Sequence, residues 1–157
     1  MKQSIKRKLL KEFSEFLIEE FIPVLNLENW RIIFKFQKGK DDKTYASIDL
    51  DSINKEATLY LNPYLSDKNL NAMLQQVAVS VLHELIHCVV CDVDLAIRIV
   101  MNVYRHQGSD YISPFISTLY ERSVESITKV LINCTEVRDI IFKGMNMIKE
   151  KYAEEIK

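Results

Sequence analysis

Hydrophobic positions along the chain recur with two different periods. Over residues 4–22, Ile5, Leu9, Phe13, Phe16, Leu17 and Phe21 fall at helical spacing, and Pro23 closes the run. The period then shortens to two. In WRIIFKF, Trp30, Ile32, Phe34 and Phe36 share one face; Ala46, Ile48 and Leu50 do so in YASIDL, and Ala57, Leu59 and Leu61 in ATLYLN. Such alternation predicts three half-buried strands joined by the polar loops QKGKDDK and DSINK, hence a small sheet with one covered face. NPYLSDKN turns the chain into a helix, with Ser66 or Asp67 as its N-cap. That helix should run to about Val90 or a little beyond, and residues 93–105 are expected to be helical as well. HQGSDYISP is irregular, and Ser113-Pro114 reads as an N-cap followed by proline at the first helical position. The helix opened there should reach about Asn133, and a last one should occupy 135–154. No repeat, low-complexity tract or linker interrupts this order, so residues 1–157 read as a single α+β domain.

Composition narrows the class. With 48% hydrophobic and 27% charged residues the chain resembles a soluble globular protein, and 157 residues suffice for a core without metal or disulfide staples. Basic and acidic residues balance at 21 against 22, which argues against nucleic acid as a partner; the cluster Lys6-Arg7-Lys8 reads as a solvated helix face. Cys88, Cys91 and Cys134 cannot all pair, which points to a reducing compartment. Glu12, Glu15, Glu19 and Glu20 break up any signal-peptide core, and no run approaches the length needed to cross a bilayer. A cytoplasmic protein without a membrane partner is the expectation, its oligomeric state open.

The chemistry lies in VLHELIHCVV. From Val77 to Val90 the polar side chains, Cys88 aside, are Ser80, His83, Glu84 and His87, all within an arc of about 100° on a helix, and Gln76 joins that side. The rest of the circumference is Val, Leu, Ile and Ala, so the helix is buried on most sides and its polar stripe faces a cleft or a polar site. H-E-x-x-H places His83 and His87 one turn apart on one face, where both can reach one ion at the Zn–N distance of about 2.0–2.1 Å. Glu84 lies beside the first histidine, where it can take a proton from a metal-bound water. The bland alternative is a pair of core histidines satisfied by hydrogen bonds, Glu84 pairing one of them. It needs three unrelated accommodations in the least polar helix, so the metal reading is preferred.

A catalytic zinc site needs a third protein ligand. Cys91 is one further turn along the face and too far down the axis to share an ion with His83. The Cys88–Cys91 spacing is a redox motif only as a string, since it falls mid-helix. The metzincin pattern would require glycine and histidine where Val90 and Val93 stand. LYERSVESITKVL offers Glu121 and Glu125, four apart and on one helical face with Thr128 near the same stripe. The competing interpretation of these two is a solvated face, with Glu125 and Lys129 as an ordinary pair. His106, in RHQGSDYISPF, follows His87 by 19 residues, against 34 for Glu121.

HELIH with the later E-x-x-x-E step resembles the gluzincin-type zinc metallopeptidases, in particular minigluzincins and small phage-type HExxH proteins. The resemblance covers most of residues 28–133, and only those two motifs are specific. It implies a zincin-like fold in which an N-terminal helix and a three-stranded sheet precede an HExxH helix, a glutamate helix and a C-terminal helix. It further implies one Zn2+ ion held by His83, His87 and Glu121, with Glu125 fixing a histidine tautomer. Glu84 would act as general base in peptide hydrolysis, and a peptide or protein substrate would pair with the strand Glu56–Asn62 as the sheet edge. Three rivals stand beside it. A SprT-like protease would use His106 as third ligand; a non-catalytic metal-containing binding module would act through protein contacts; a latent enzyme would have its cleft covered by a terminal segment. With Glu121 as ligand, His106 becomes a candidate electrophile, as are Tyr104, Tyr111 and Tyr120.

Overall fold

The computed structural model describes residues 2–38, 45–64, 69–104 and 112–155. Helix α1 (Gln3–Val24) buries Leu9, Phe13, Leu17 and Phe21 of the stripe read from the sequence, with Leu10 beside them, and leaves Ile5 and Phe16 partly buried. Its end is a reversal. Leu25 and Leu27 donate their N–H groups to the carbonyls of Phe21 and Ile22, each at 2.9 Å, while Asn26 takes a left-handed φ of 53°. Asparagine tolerates that conformation better than a branched residue would.

Strands β1 (Arg31–Phe36), β2 (Ala46–Asp51) and β3 (Glu56–Leu61) form one sheet in the order β1-β3-β2. β3 runs parallel to β1, with Phe34 opposite Leu59, and antiparallel to β2, with Ile48 opposite the same Leu59. Ala57, Leu59 and Leu61 are all buried, whereas β2 has no buried residue. The strand with the most buried face takes the centre. This corrects the expectation that Glu56–Asn62 is an edge: both flanks of β3 are already paired, and an added peptide has no donors or acceptors to meet there. Among the described residues the outer edges belong to β1 and β2, and β2 also lies against the helix that follows the sheet. The β2–β3 turn is held by Asp51, whose Oδ1 accepts the N–H groups of Ile53 and Asn54 at 3.1 Å each.

That helix, α2 (Leu70–Tyr104), is a single element of 35 residues and does not stop near Val90. No proline or glycine stands between Pro63 and Gly108 to break it. Ser66 and Asp67 lie outside the described residues. The cap is Asn69, whose side-chain oxygen accepts the Asn71 N–H at 2.9 Å. Leu70–Val93 is long and apolar enough to cross a membrane by length and composition, contrary to the sequence expectation, yet half of it is buried inside this fold. A core helix passes the same test.

Helix α3 (Ile112–Leu131) begins one residue before Ser113, so Pro114 is its third residue and not its first. Helix α4 (Thr135–Lys151) ends in the buried Tyr152. α1, α4 and the first half of α2 enclose the core with one face of the sheet. α4 approaches α1 so closely that a Cβ on Gly144 would stand 2.6 Å from the Phe16 ring and 2.9 Å from that of Phe13. α3 is peripheral. It packs chiefly on α2, and among its described side chains the buried ones are Val124 and Thr128.

Candidate metal centre

On α2, Val81, Leu82, Leu85 and Ile86 are buried on the core side, which leaves His83, Glu84 and His87 on the remaining arc. His87 is only 8% exposed. α3 crosses this arc and brings Glu121 to it. Glu121 Oε2 lies 3.8 Å from His83 Nε2 and 3.7 Å from His87 Nε2. The two imidazoles stand edge to face with their centroids 5.1 Å apart.

These distances can be weighed against an ion. Ligand atoms at about 2.0–2.1 Å from one zinc in tetrahedral geometry are separated by about 3.3 Å. One ligand atom from each of His83, His87 and Glu121 falls within 4.8 Å of the others, and both histidine–glutamate separations are within about half an ångström of the ideal edge. The residues fit: His83, His87 and Glu121 form a cluster that can hold a metal ion. Two imidazoles and a carboxylate suit zinc and also accept other divalent ions, so the donor set does not name the metal.

The packing alternative has Glu84 as a histidine partner, but both histidines make an ion-pair contact with Glu121, on another helix. Glu84 sits beside the cluster in a largely desolvated position. Burial, and then the Glu121 carboxylate, push its carboxyl from the ordinary 4.5 up to about 7. A divalent cation beside it would oppose that rise.

Glu125 is not brought into the cluster. It is exposed and lies 3.8 Å from Lys129, the i,i+4 pair that the solvated-face reading anticipates. The group set against the second nitrogen of His87 is the Tyr120 hydroxyl, 3.4 Å from Nδ1, with the rings 5.5 Å apart. Sequence reasoning named Tyr120 only as one of three tyrosines for an electrophilic role. Thr128 is buried and donates to the Val124 carbonyl at 2.8 Å, so it is spent on its own helix. His106 and Tyr111 lie outside the described residues. Cys88, its thiol pushed up to about 12 by burial, and Cys91 both pack in the core. Cys91 Sγ is 3.9 Å from Lys55 Nζ, which also pairs with Asp92 at 3.0 Å and so ties the β2–β3 turn to α2. Neither thiol belongs to the cluster.

No protein-family model matches the chain, and no curated protein or solved structure matches it either.

Proposed function

We propose that this chain is a zinc-dependent metallopeptidase with a gluzincin-type site on a zincin-like scaffold. The observation that carries the proposal is Glu121, which reaches across from α3 to within 4 Å of the Nε2 atoms of both HExxH histidines. His83, His87 and Glu121 would hold the ion. When bound, such an ion supplies Lewis acidity, acidifying a water toward neutral pH and polarising a carbonyl.

The remaining work falls to the chain. Glu84 is the general base: its carboxylate takes the proton of the attacking water and returns it to the departing nitrogen. Its largely desolvated place beside the cluster suits that role, and a bound ion would lower its pKa from the metal-free value of about 7. A purely structural metal site has no use for such a residue, which favours the enzyme over a non-catalytic binding module. Since β3 is central, the docking edge for an extended peptide moves to β2, which is open on its outer side among the described residues and touches α2.

Metal content per chain after purification and dialysis, for wild type and Glu121→Ala, tests the proposal. One zinc in the wild type and a clear loss in the variant is the expected result. One zinc in both would transfer the third ligand to another group, His106 foremost, and favour the SprT-like alternative. No zinc in the wild type, even when supplied, would overturn the metallopeptidase reading.

A further inference from the structure

Both ring nitrogens of His87 meet consecutive residues of α3. Nδ1 faces the Tyr120 hydroxyl at 3.4 Å, and Nε2 faces the Glu121 carboxylate at 3.7 Å. We propose that Tyr120 is the positioning residue of the centre: its phenol oxygen accepts the Nδ1–H of His87 and leaves the Nε2 lone pair facing the ion. This rests on the metal reading above and goes beyond it, because the resemblance to gluzincins assigns the task to Glu125, which pairs instead with Lys129.

The chemistry requires such a partner. A neutral imidazole has one N–H and one lone pair, and only the nitrogen without hydrogen can bind a metal. An acceptor at Nδ1 therefore selects the tautomer with Nε2 free, and also fixes the ring plane. A phenol can accept there and still direct its own proton elsewhere. Placement supports the role. Tyr120, Val124 and Thr128 are spaced by four, so they form one line along α3; the latter two are buried, and α3 packs chiefly on α2. The tyrosine ring is thus anchored by the same seam that sets α3 against α2, and Glu121 follows about 100° around the helix, on the side of the ion. The 3.4 Å separation is at the long end for a hydrogen bond. The reverse arrangement, Tyr120 donating to Nδ1, would put the hydrogen on Nε2 and turn it toward Glu121, blocking the metal position. The two arrangements differ in a measurable atom.

Tyr120→Phe keeps the ring and removes the hydroxyl. Zinc affinity is measured by chelator competition, and the His87 tautomer by nitrogen NMR of histidine-labelled protein in excess chelator. The expected wild type carries hydrogen on Nδ1 of His87. The variant should lose that preference and bind zinc about 10–100-fold more weakly, at unchanged stoichiometry. Val124→Ala, which loosens the same seam without touching a polar group, is the control. It should lower the urea midpoint and leave the tautomer as in wild type. The proposal falls if wild-type His87 carries its hydrogen on Nε2, if Tyr120→Phe leaves zinc affinity unchanged, or if Val124→Ala weakens zinc as much as Tyr120→Phe does. Failure of the metal reading would show separately, as no zinc uptake by the wild type, while the tautomer still reports on the Tyr120 contact.

Discussion

Replacing Glu84 with glutamine should make the protein more stable and less active, and the stability gain should depend on pH in a specified direction. The Glu84 carboxyl is pushed from 4.5 to about 7 by burial and by the Glu121 carboxylate. In the unfolded chain it ionises near its ordinary value. Below about pH 4.5 both states are protonated and the fold carries no penalty. Between about 4.5 and 7 folding must take up a proton, so stability falls as pH rises; above about 7 the full penalty remains. At about 1.36 kcal/mol per pKa unit, the difference amounts to about 3 kcal/mol at pH 8 and about 1 kcal/mol at pH 5. Glutamine has nearly the same shape and no charge to desolvate. Urea unfolding of wild type and Glu84→Gln in excess chelator should therefore separate them by about 3 kcal/mol at pH 8 and converge toward pH 5. Peptide hydrolysis with zinc supplied should fall by about 10²–10⁴-fold, because the proton carrier is gone. Opposite signs in stability and activity are what a strained functional carboxylate produces. A variant no more stable than wild type at pH 8, or a gap independent of pH, would show that Glu84 is not held out of solvent as described.

Two further outcomes test how the site is surrounded. Glu125→Ala should leave both zinc affinity and the urea midpoint unchanged, within about 0.5 kcal/mol for the latter, since its pair with Lys129 is exposed; a marked loss of zinc would restore Glu125 to the centre. Leu50→Pro probes the β2 edge. The Asn62 N–H donates to the Tyr45 carbonyl at 2.9 Å, so by the antiparallel alternation the backbone groups of Ala46, Ile48 and Leu50 point away from β3. Proline at position 50 removes an outward donor and spares the ladder. Peptide KM should rise about 3–10-fold, the net value of one hydrogen bond, with kcat and zinc content unchanged. An unaltered KM would remove β2 as the docking strand.

The pattern of apolar residues was enough to foresee the four helices and three strands among the described residues, because each element is regular over at least six residues. What it could not supply was the order of strands in space. Alternation states which face of β3 is covered, not which neighbours flank it, and a chain that runs β1, β2, β3 can place β3 between the other two without altering one side chain's direction. Nor does the helix stop near Val90, where the end of the apolar run suggested it would: Asp92 and Asp94 interrupt that run, but aspartate does not stop a helix as proline or glycine does. The Ser113-Pro114 cap failed for a related reason: proline is tolerated throughout the first turn, where its missing N–H has no helical partner, so Pro114 sits comfortably as the third residue of α3.

Glu121 and Glu125 looked alike in the sequence, and their separation is a matter of helix phase. Val124 and Thr128 are the buried positions of α3 and Tyr120 lies one turn before Val124, so the seam against α2 is centred near Val124. At about 100° per residue Glu121 falls about 60° from that centre and Glu125 about 100° from it. A glutamate 60° off the seam can reach past the contact to groups on the facing helix. One at 100° projects sideways into solvent and pairs with Lys129 four residues on. The same phase sets Tyr120 on His87, so once α3 adopts the register that buries Val124, the placement of ligand, positioning hydroxyl and solvated acid follows from one rotation of one helix. The register of α3 as a whole, and not any one apolar contact in its seam, therefore sets the metal site.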